Sequence, residues 1–265
     1  MTRRTTAWAG IALFFLIVAA YEAIELWRVI GDQQAIGVDL EFYRAMGERW
    51  LADGTFYTDR QLSGPYTTMT LVDNLYPPAA VFWFVPLAFM PAFLWWVLPA
   101  ILVGYVVWRL QPAPWAYAAM AAILAAPKTP TAIFYGNSDM WVAAAVAAGV
   151  LWGWPAILIL MKPSFAPLAL IGVRRRSYWV AAGVLAALNI PLIGLWVQYP
   201  TVMINSTSEA TYSLFALPMV VLPLVAWAGS RSRPPLGGLL ARFRRQEAPG
   251  LLPEEPASPP RPVAR

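Results

Sequence analysis

Asp39, Lys162 and the run Gly136-Asn137-Ser138-Asp139 put side chains capable of acid–base or anion-binding chemistry into otherwise apolar surroundings. The chain has no cysteine and no histidine, which removes thiol nucleophiles, thiolate metal sites, imidazole bases and Ser-His-Asp triads together. Proton transfer is left to Asp, Glu, Lys and Tyr. Asp39 lies in "GVDLEFYRAMGERWLADGTFYTDRQ", residues 37–61, which gathers five carboxylates between hydrophobic segments. A carboxylate just above a membrane can take the proton of an attacking alcohol; it can equally cap the helix that follows it. Lys162 interrupts an apolar run, where a cation pairs, snorkels, or faces a polar cavity able to hold a phosphate group. Asp139 and Glu25 are its candidate partners. Asn137 or Ser138 is placed to cap the helix opened by "GNSDMW", with Asp139 favoured by the helix dipole. Glu22 and Glu25 stand near the outer end of the first apolar run, and Tyr76 precedes Pro77-Pro78 as an interface aromatic or a cavity wall.

The elements that must position these groups are membrane helices. Of 265 residues 59% are hydrophobic and 12% charged, about half the charged fraction of a soluble domain. Apolar runs of roughly 17–25 residues recur along the chain. The pattern predicts an all-α polytopic membrane protein of about eight transmembrane helices, near 7–28, 78–91, 92–110, 113–126, 136–153, 155–173, 177–197 and 214–229. Prolines inside 78–91 and 155–173 leave either segment open to being broken or re-entrant. Arg3 and Arg4 hold the N-terminus in the cytoplasm, with a cleaved signal peptide as the competing reading of the first run. Residues 1–229 form the membrane domain, 31–77 its first extracytoplasmic loop, and 230–265 a disordered cytoplasmic tail. Arg174–Arg176 mark a cytoplasmic turn, whereas a count of eight places Arg109 outside. The net charge of +5 follows these topology signals and implies no nucleic-acid partner. Within the loop, Leu40, Tyr43, Met46, Gly47, Trp50 and Leu51 recur at helical spacing. They predict an amphipathic helix on the bilayer surface, with Asp39 at its N-cap and Gly54 at its stop.

Four segments in order carry a family resemblance: "VDLEFYRAMGERWLADGTFYTD", "YPPAAVFWFVPLAFMP", "GNSDMWVAAAVAA" and "LILMKPSFAPLALIGVRRRSYW". Over about residues 30–180 the chain resembles glycosyltransferase family 87, the domain of unknown function 2029. Those are GT-C-type membrane enzymes that use polyprenyl-phosphate sugars, mannosyltransferases among them. The matching positions are Asp39, Tyr43, Ala45, Gly54 and Tyr57, then Tyr76-Pro77-Pro78, Lys162-Pro163 and Arg174–Arg176. The family's Gly-Gln-x-Asn is met only in part by Gly136-Asn137-Ser138-Asp139, and the chain is shorter than the usual members.

The resemblance implies a GT-C-like fold in a bacterial plasma membrane, with both termini cytoplasmic. It implies transfer of a mannose-like hexose or a pentose from a polyprenyl-phosphate donor to a lipid or glycan acceptor. Asp39 would be the base, and Lys162, Arg44, Arg49 and Arg60 would bind the donor phosphate. Tyr43, Tyr76, Asn137, Asp139 and Glu25 would line the cavity. No cofactor is required, and no metal ligand set is assigned, although a divalent ion stays compatible with the chemistry. Two other readings stand beside it: a non-catalytic relative that binds a lipid or partner, and a small transporter with Lys162 and Asp139 as a midplane ion site.

Overall fold

The computed structural model describes residues 36–67, 73–126, 128–207 and 217–231, with scattered positions between 20 and 31. The predicted first helix at 7–28, with Glu22 and Glu25, lies almost wholly outside the described residues, as does the tail beyond Arg231. The described chain is all-α. It holds no strand, and its one β pairing is an isolated parallel bridge between Tyr66 and Ser206.

Helix α1, Val38–Asp53, is the predicted loop helix, and Gly54 at φ 73° ends it with its N–H donating to Trp50 O. Two expectations about α1 are corrected. Its N-cap is Gly37, also at φ 73°, so Asp39 stands one residue inside the first turn and does not cap. Its apolar face does not lie on lipid: Leu40, Tyr43, Met46 and Gly47 are buried against the chain, while Leu51 is exposed. The cover is Pro78–Ala88, a short helix α3, Val81–Phe84, flanked by single 3₁₀ turns. Gly47 permits this approach, because a Cβ there would sit 2.3 Å from Phe84 O. The Tyr43 and Phe84 rings stack at 5.0 Å. The small helix α2, Asp59–Ser63, is closed at its start by a capping box between Thr58 and Gln61.

The remaining elements run between two ends of the molecule. Helix α4, Leu94–Leu110, starts beside α1, since Arg44 reaches the carbonyls of Leu87 and Met90 just before it. It runs parallel to α7, Asp139–Trp152. Trp141 Nε1 donates to Trp95 O at one end, and Tyr105 stacks on Trp152 at the other. Between them α5, Pro114–Leu124, and α6, Lys128–Phe134, return the chain toward Asp39. Arg109 therefore lies at the far end, with Trp152.

The predicted span at 155–173 does not run through. Gly153 at φ 82° ends α7, and two 3₁₀ arms follow, Trp154–Met161 and Pro163–Gly172. Their feet touch: a Cβ on Gly172 would lie 2.4 Å from Gly153 O and 2.9 Å from Ala156 Cβ. Lys162 is the tip. Pro163 disfavours the helical region for the residue before it, and Lys162 is extended at φ −125°, ψ 92°. The segment is a hairpin that carries its lysine back toward Asp39.

Arg176–Asn205 is one apolar helical stretch of 30 residues, made of α8, Arg176–Asn189, a 3₁₀ turn, and α9, Ile193–Asn205. Among the described residues it is the one helix long and apolar enough to cross a membrane. Its apolar side chains stand in the open, Val180, Ile190, Val197 and Ile204 among them. It starts at the arginine end, where Ser177 Oγ donates to Trp152 O, and finishes against the loop, where Tyr66 N donates to Asn205 O at 3.0 Å. Finally α10, Leu217–Arg231, packs Met219 into the core with Leu40 and Tyr43, and its Gly229 carbonyl accepts from Ala113 N at the opposite end.

Candidate active site

Two helix ends build the site by completing each other. The last carbonyls of α6 and the first N–H groups of α1 have no partners inside their own helices. Gly37 N donates to Phe134 O and Asp39 N to Tyr135 O, each at 2.9 Å. The chain leaves α6 through a Schellman turn, with Gly136 N bonded to Ile133 O and Asn137 N to Ala132 O. Gly136 supplies the left-handed φ of 73° that this turn requires, and it lies against Leu40 and Trp96. Trp95 and Trp96 clamp the turn by donating to the carbonyls of Gly136 and Ile133, both at 2.6 Å. Asp39 and Asn137, 98 positions apart, are thereby fixed side by side.

The polar groups then form one network. Asn137 Nδ2 donates to Asp39 Oδ2 at 2.8 Å, and Asn137 Oδ1 accepts from Lys162 Nζ at 3.1 Å and from Asp139 N at 3.0 Å. Lys162 Nζ also donates to Ser138 Oγ at 3.2 Å and pairs with the carboxylate of Asp139. Ser138 Oγ shares a hydrogen bond with the Tyr76 hydroxyl at 2.7 Å, which shares another with the Tyr43 hydroxyl at 3.0 Å. Asp39 is half-buried, and Oδ1 receives no hydrogen bond from a described residue. Burial raises its pKa above the usual 3.8, against the Asn137 hydrogen bond and the charge of Lys162, which favour the carboxylate. Burial also holds the Tyr43 phenol far above its ordinary range, so it acts as a neutral hydroxyl.

Comparison with family models, curated proteins and solved structures returns no match.

Of the residues singled out in the sequence, Asp39, Tyr43, Tyr76, Asn137, Asp139 and Lys162 come together here. Glu25 lies outside the described residues. The three arginines expected at a phosphate do not join the cluster. Arg44 donates to the carbonyls of Leu87 and Met90 and pairs with Glu41. Arg49 donates to Thr55 O and Phe56 O. Arg60 reaches Thr67 O and pairs with Asp73. Arg49 and Arg60 brace turns of the loop, Arg44 ties α1 to the chain before α4, and each uses its guanidinium fork for two or more acceptors at once.

An apolar groove of about 980 Å³ adjoins the network. Trp95, Trp141 and Met161 form its wall next to Tyr43 and Lys162, while Trp152, Trp154 and Ser177 lie at its arginine end. Ser177 is its one polar lining residue apart from tryptophan. The groove draws on Pro78–Ala88, α7, the first hairpin arm and α8 at once, so no single run of sequence signals it. Ser138, read from sequence only as a possible cap, is the junction between the lysine and the tyrosine pair.

Proposed function

We propose that the chain is a polytopic membrane glycosyltransferase of the bacterial plasma membrane. It moves a mannose-like hexose or a pentose from a polyprenyl-phosphate donor to a lipid or glycan acceptor on the extracytoplasmic face. Six crossings suit the path of the chain: the apolar run at 7–28, α4, α5 with α6, α7, Arg176–Asn205, and α10. The hairpin and Pro78–Ala88 enter without crossing, both termini face the cytoplasm, and the arrangement is GT-C-like in placing its acidic loop over the bundle.

The observation that carries the reading is the convergence of Asp39, Asn137, Lys162 and Asp139, from three remote segments, beside an apolar groove. The groove accepts the isoprenoid tail, and the sugar lies under α1. Asp39 Oδ1 takes the proton of the acceptor hydroxyl as that oxygen bonds to the anomeric carbon. The bond from that carbon to the phosphate oxygen breaks, and the polyprenyl phosphate leaves with the electron pair. Lys162 is the ammonium in reach of the leaving group. Its three N–H bonds are held by Asn137, Ser138 and Asp139, so the phosphate replaces the neutral Ser138 hydroxyl as a partner.

Transfer by the purified protein in detergent tests the reading, with polyprenyl-phosphate mannose as donor and native lipid extract as acceptor. Asp39→Ala is expected to lower turnover about 10²–10⁴-fold, the usual worth of a general base, with insertion unchanged. Undiminished turnover in the variant would reject Asp39 as base. The saturation of Lys162 favours a second reading, a non-catalytic lipid-binding relative in which Lys162–Asp139 is a structural pair. Donor binding without transfer by the wild type would select it.

A further inference from the structure

The contacts of Asn137 fix more than its position; they fix which way its amide faces. Its Oδ1 meets two donors, Lys162 Nζ at 3.1 Å and the Asp139 backbone N–H at 3.0 Å. Its Nδ2 meets an acceptor, Asp39 Oδ2 at 2.8 Å. The reversed amide would set N–H against N–H at two contacts and oxygen against a carboxylate oxygen at the third, so the orientation follows from the partners. The backbone of Asn137 is equally constrained, since its N–H closes the Schellman turn on Ala132 O at 2.8 Å and its carbonyl accepts from Met140 N. A side chain held this firmly at both ends delivers its N–H to a single place.

We propose that Asn137 is the positioning residue of Asp39, a role that rests on the transferase reading above. Its Nδ2–H engages Oδ2, turns the carboxylate so that Oδ1 faces the acceptor hydroxyl, and keeps Lys162 from bonding the base directly. The last point matters chemically. An ammonium bonded to Asp39 would hold it as a carboxylate but weaken it as a proton acceptor, whereas a neutral amide donor orients it with less loss of basicity. Asn137 thus lets one lysine serve the leaving group while remaining one hydrogen bond removed from the base.

The charged and titratable groups that face Asp39 are Lys162 from the hairpin tip, Asp139 from α7 and Tyr43 from α1, with Tyr76 bonded to Tyr43 behind it. Of these, Lys162 and the Asp139 backbone N–H bond Asn137 Oδ1 directly, so a substitution at Asn137 decides whether Lys162 stays away from the base. Two variants probe the residue. Asn137→Ala removes both ends of the amide. Asn137→Asp keeps an acceptor oxygen for Lys162 and the Asp139 N–H, so the turn remains capped, but it sets a carboxylate oxygen where Nδ2 was.

Two readouts separate positioning from scaffolding. The first is the pH profile of transfer. In Asn137→Ala, kcat is expected to fall about tenfold or more with KM for the donor little changed, and the acid limb is expected to move to lower pH as the freed Lys162 closes on Asp39. The second needs no transfer. It follows the infrared carbonyl band of protonated Asp39, isolated as the difference between each protein and its Asp39→Asn counterpart, through a pH titration. Its midpoint is expected to fall in Asn137→Ala, where Lys162 closes on the base, and to rise in Asn137→Asp, where two carboxylates compete for one proton. An unmoved midpoint in the well-folded Asp variant, or an unmoved acid limb in Asn137→Ala, would overturn the proposal. A midpoint raised in Asn137→Asp, when the wild type transfers no sugar, would uphold the Asn137–Asp39 coupling while the transferase reading failed.

Discussion

Asp39 is a carboxylate kept where ionisation is unfavourable, the usual mark of a group retained for work and not for stability. Its folded pKa is raised, so the native state binds the proton more tightly than the unfolded chain does. The resulting stabilisation is complete below the ordinary value of 3.8 and is lost as pH rises through the folded value. At neutral pH the ionised side chain therefore costs stability. Asp39→Asn removes that cost and still offers Asn137 an acceptor oxygen. Thermal unfolding should give the variant a higher Tm than the wild type at pH 7, with the difference closing as pH falls toward 3.8. A lower Tm at pH 7 would mean that the carboxylate is structural. The tyrosines behave differently: Tyr43 and Tyr57 are pushed up by burial and remain neutral across this range, adding no pH dependence of their own.

At the scale of elements, two glycines with the same backbone angle do unequal work. Gly54 and Gly136 both sit at φ 73°, but a Cβ on Gly54 meets open space, while one on Gly136 lies 3.1 Å from Leu40 Cβ and 3.2 Å from the Trp96 ring. Gly54→Ala should cost about 1–2 kcal/mol, the left-handed penalty alone. Gly136→Ala should cost more in the same denaturation assay, and it alone should reduce transfer, because it shifts Asn137. Equal losses would show that the turn has room to relax. Much of this level is legible in the sequence. Apolar periodicity gives α1 and its Gly54 stop, and the apolar runs give α4, α5, α7 and α10 to within a few residues. Asp39, Asn137, Asp139 and Lys162 stand out as polar groups in oil. The sequence is silent where the decisive contact is non-local. Pro78–Ala88 covers α1 because Gly47 has no side chain to hold it off, and the hairpin turns back because Gly172 meets Gly153, pairings that no local pattern announces. The same holds for Arg44, Arg49 and Arg60. Their charge suggests a phosphate, but what they bind is set by the carbonyls and carboxylates that the fold brings beside them.

The described part of the chain is polarised end to end. Glu41, Glu48, Asp53, Asp59 and Asp73 lie with Asp39 in the loop at one end, where Arg44 and Arg60 have acid partners. Arg109, Arg174–Arg176 and Arg231 lie at the other end, the one that the proposed path sets in the cytoplasm. The helical stretch Arg176–Asn205, about 45 Å long, exceeds the roughly 30 Å hydrocarbon core, so on the proposed path its last turns stand clear of the bilayer. Those turns are the ones that hold the loop, through Tyr66 N to Asn205 O and Asn205 Nδ2 to Gln61 O. The loop that carries Asp39 is thus tied to the end of that helix. Because the chain has no cysteine, single cysteines report sidedness without background. A membrane-impermeant maleimide on intact cells should label Asp59→Cys and leave Arg109→Cys and Arg174→Cys unlabelled until the cells are opened. Eight crossings would expose Arg109 on the Asp59 side. The six-crossing path puts it with Arg174, because Pro78–Ala88 stays beside α1 and leaves α4 to make its own passage. Labelling of Arg109→Cys from outside would return Pro78–Ala88 to the count of crossings and break the link between hairpin, groove and Asp39 on which the proposed chemistry depends.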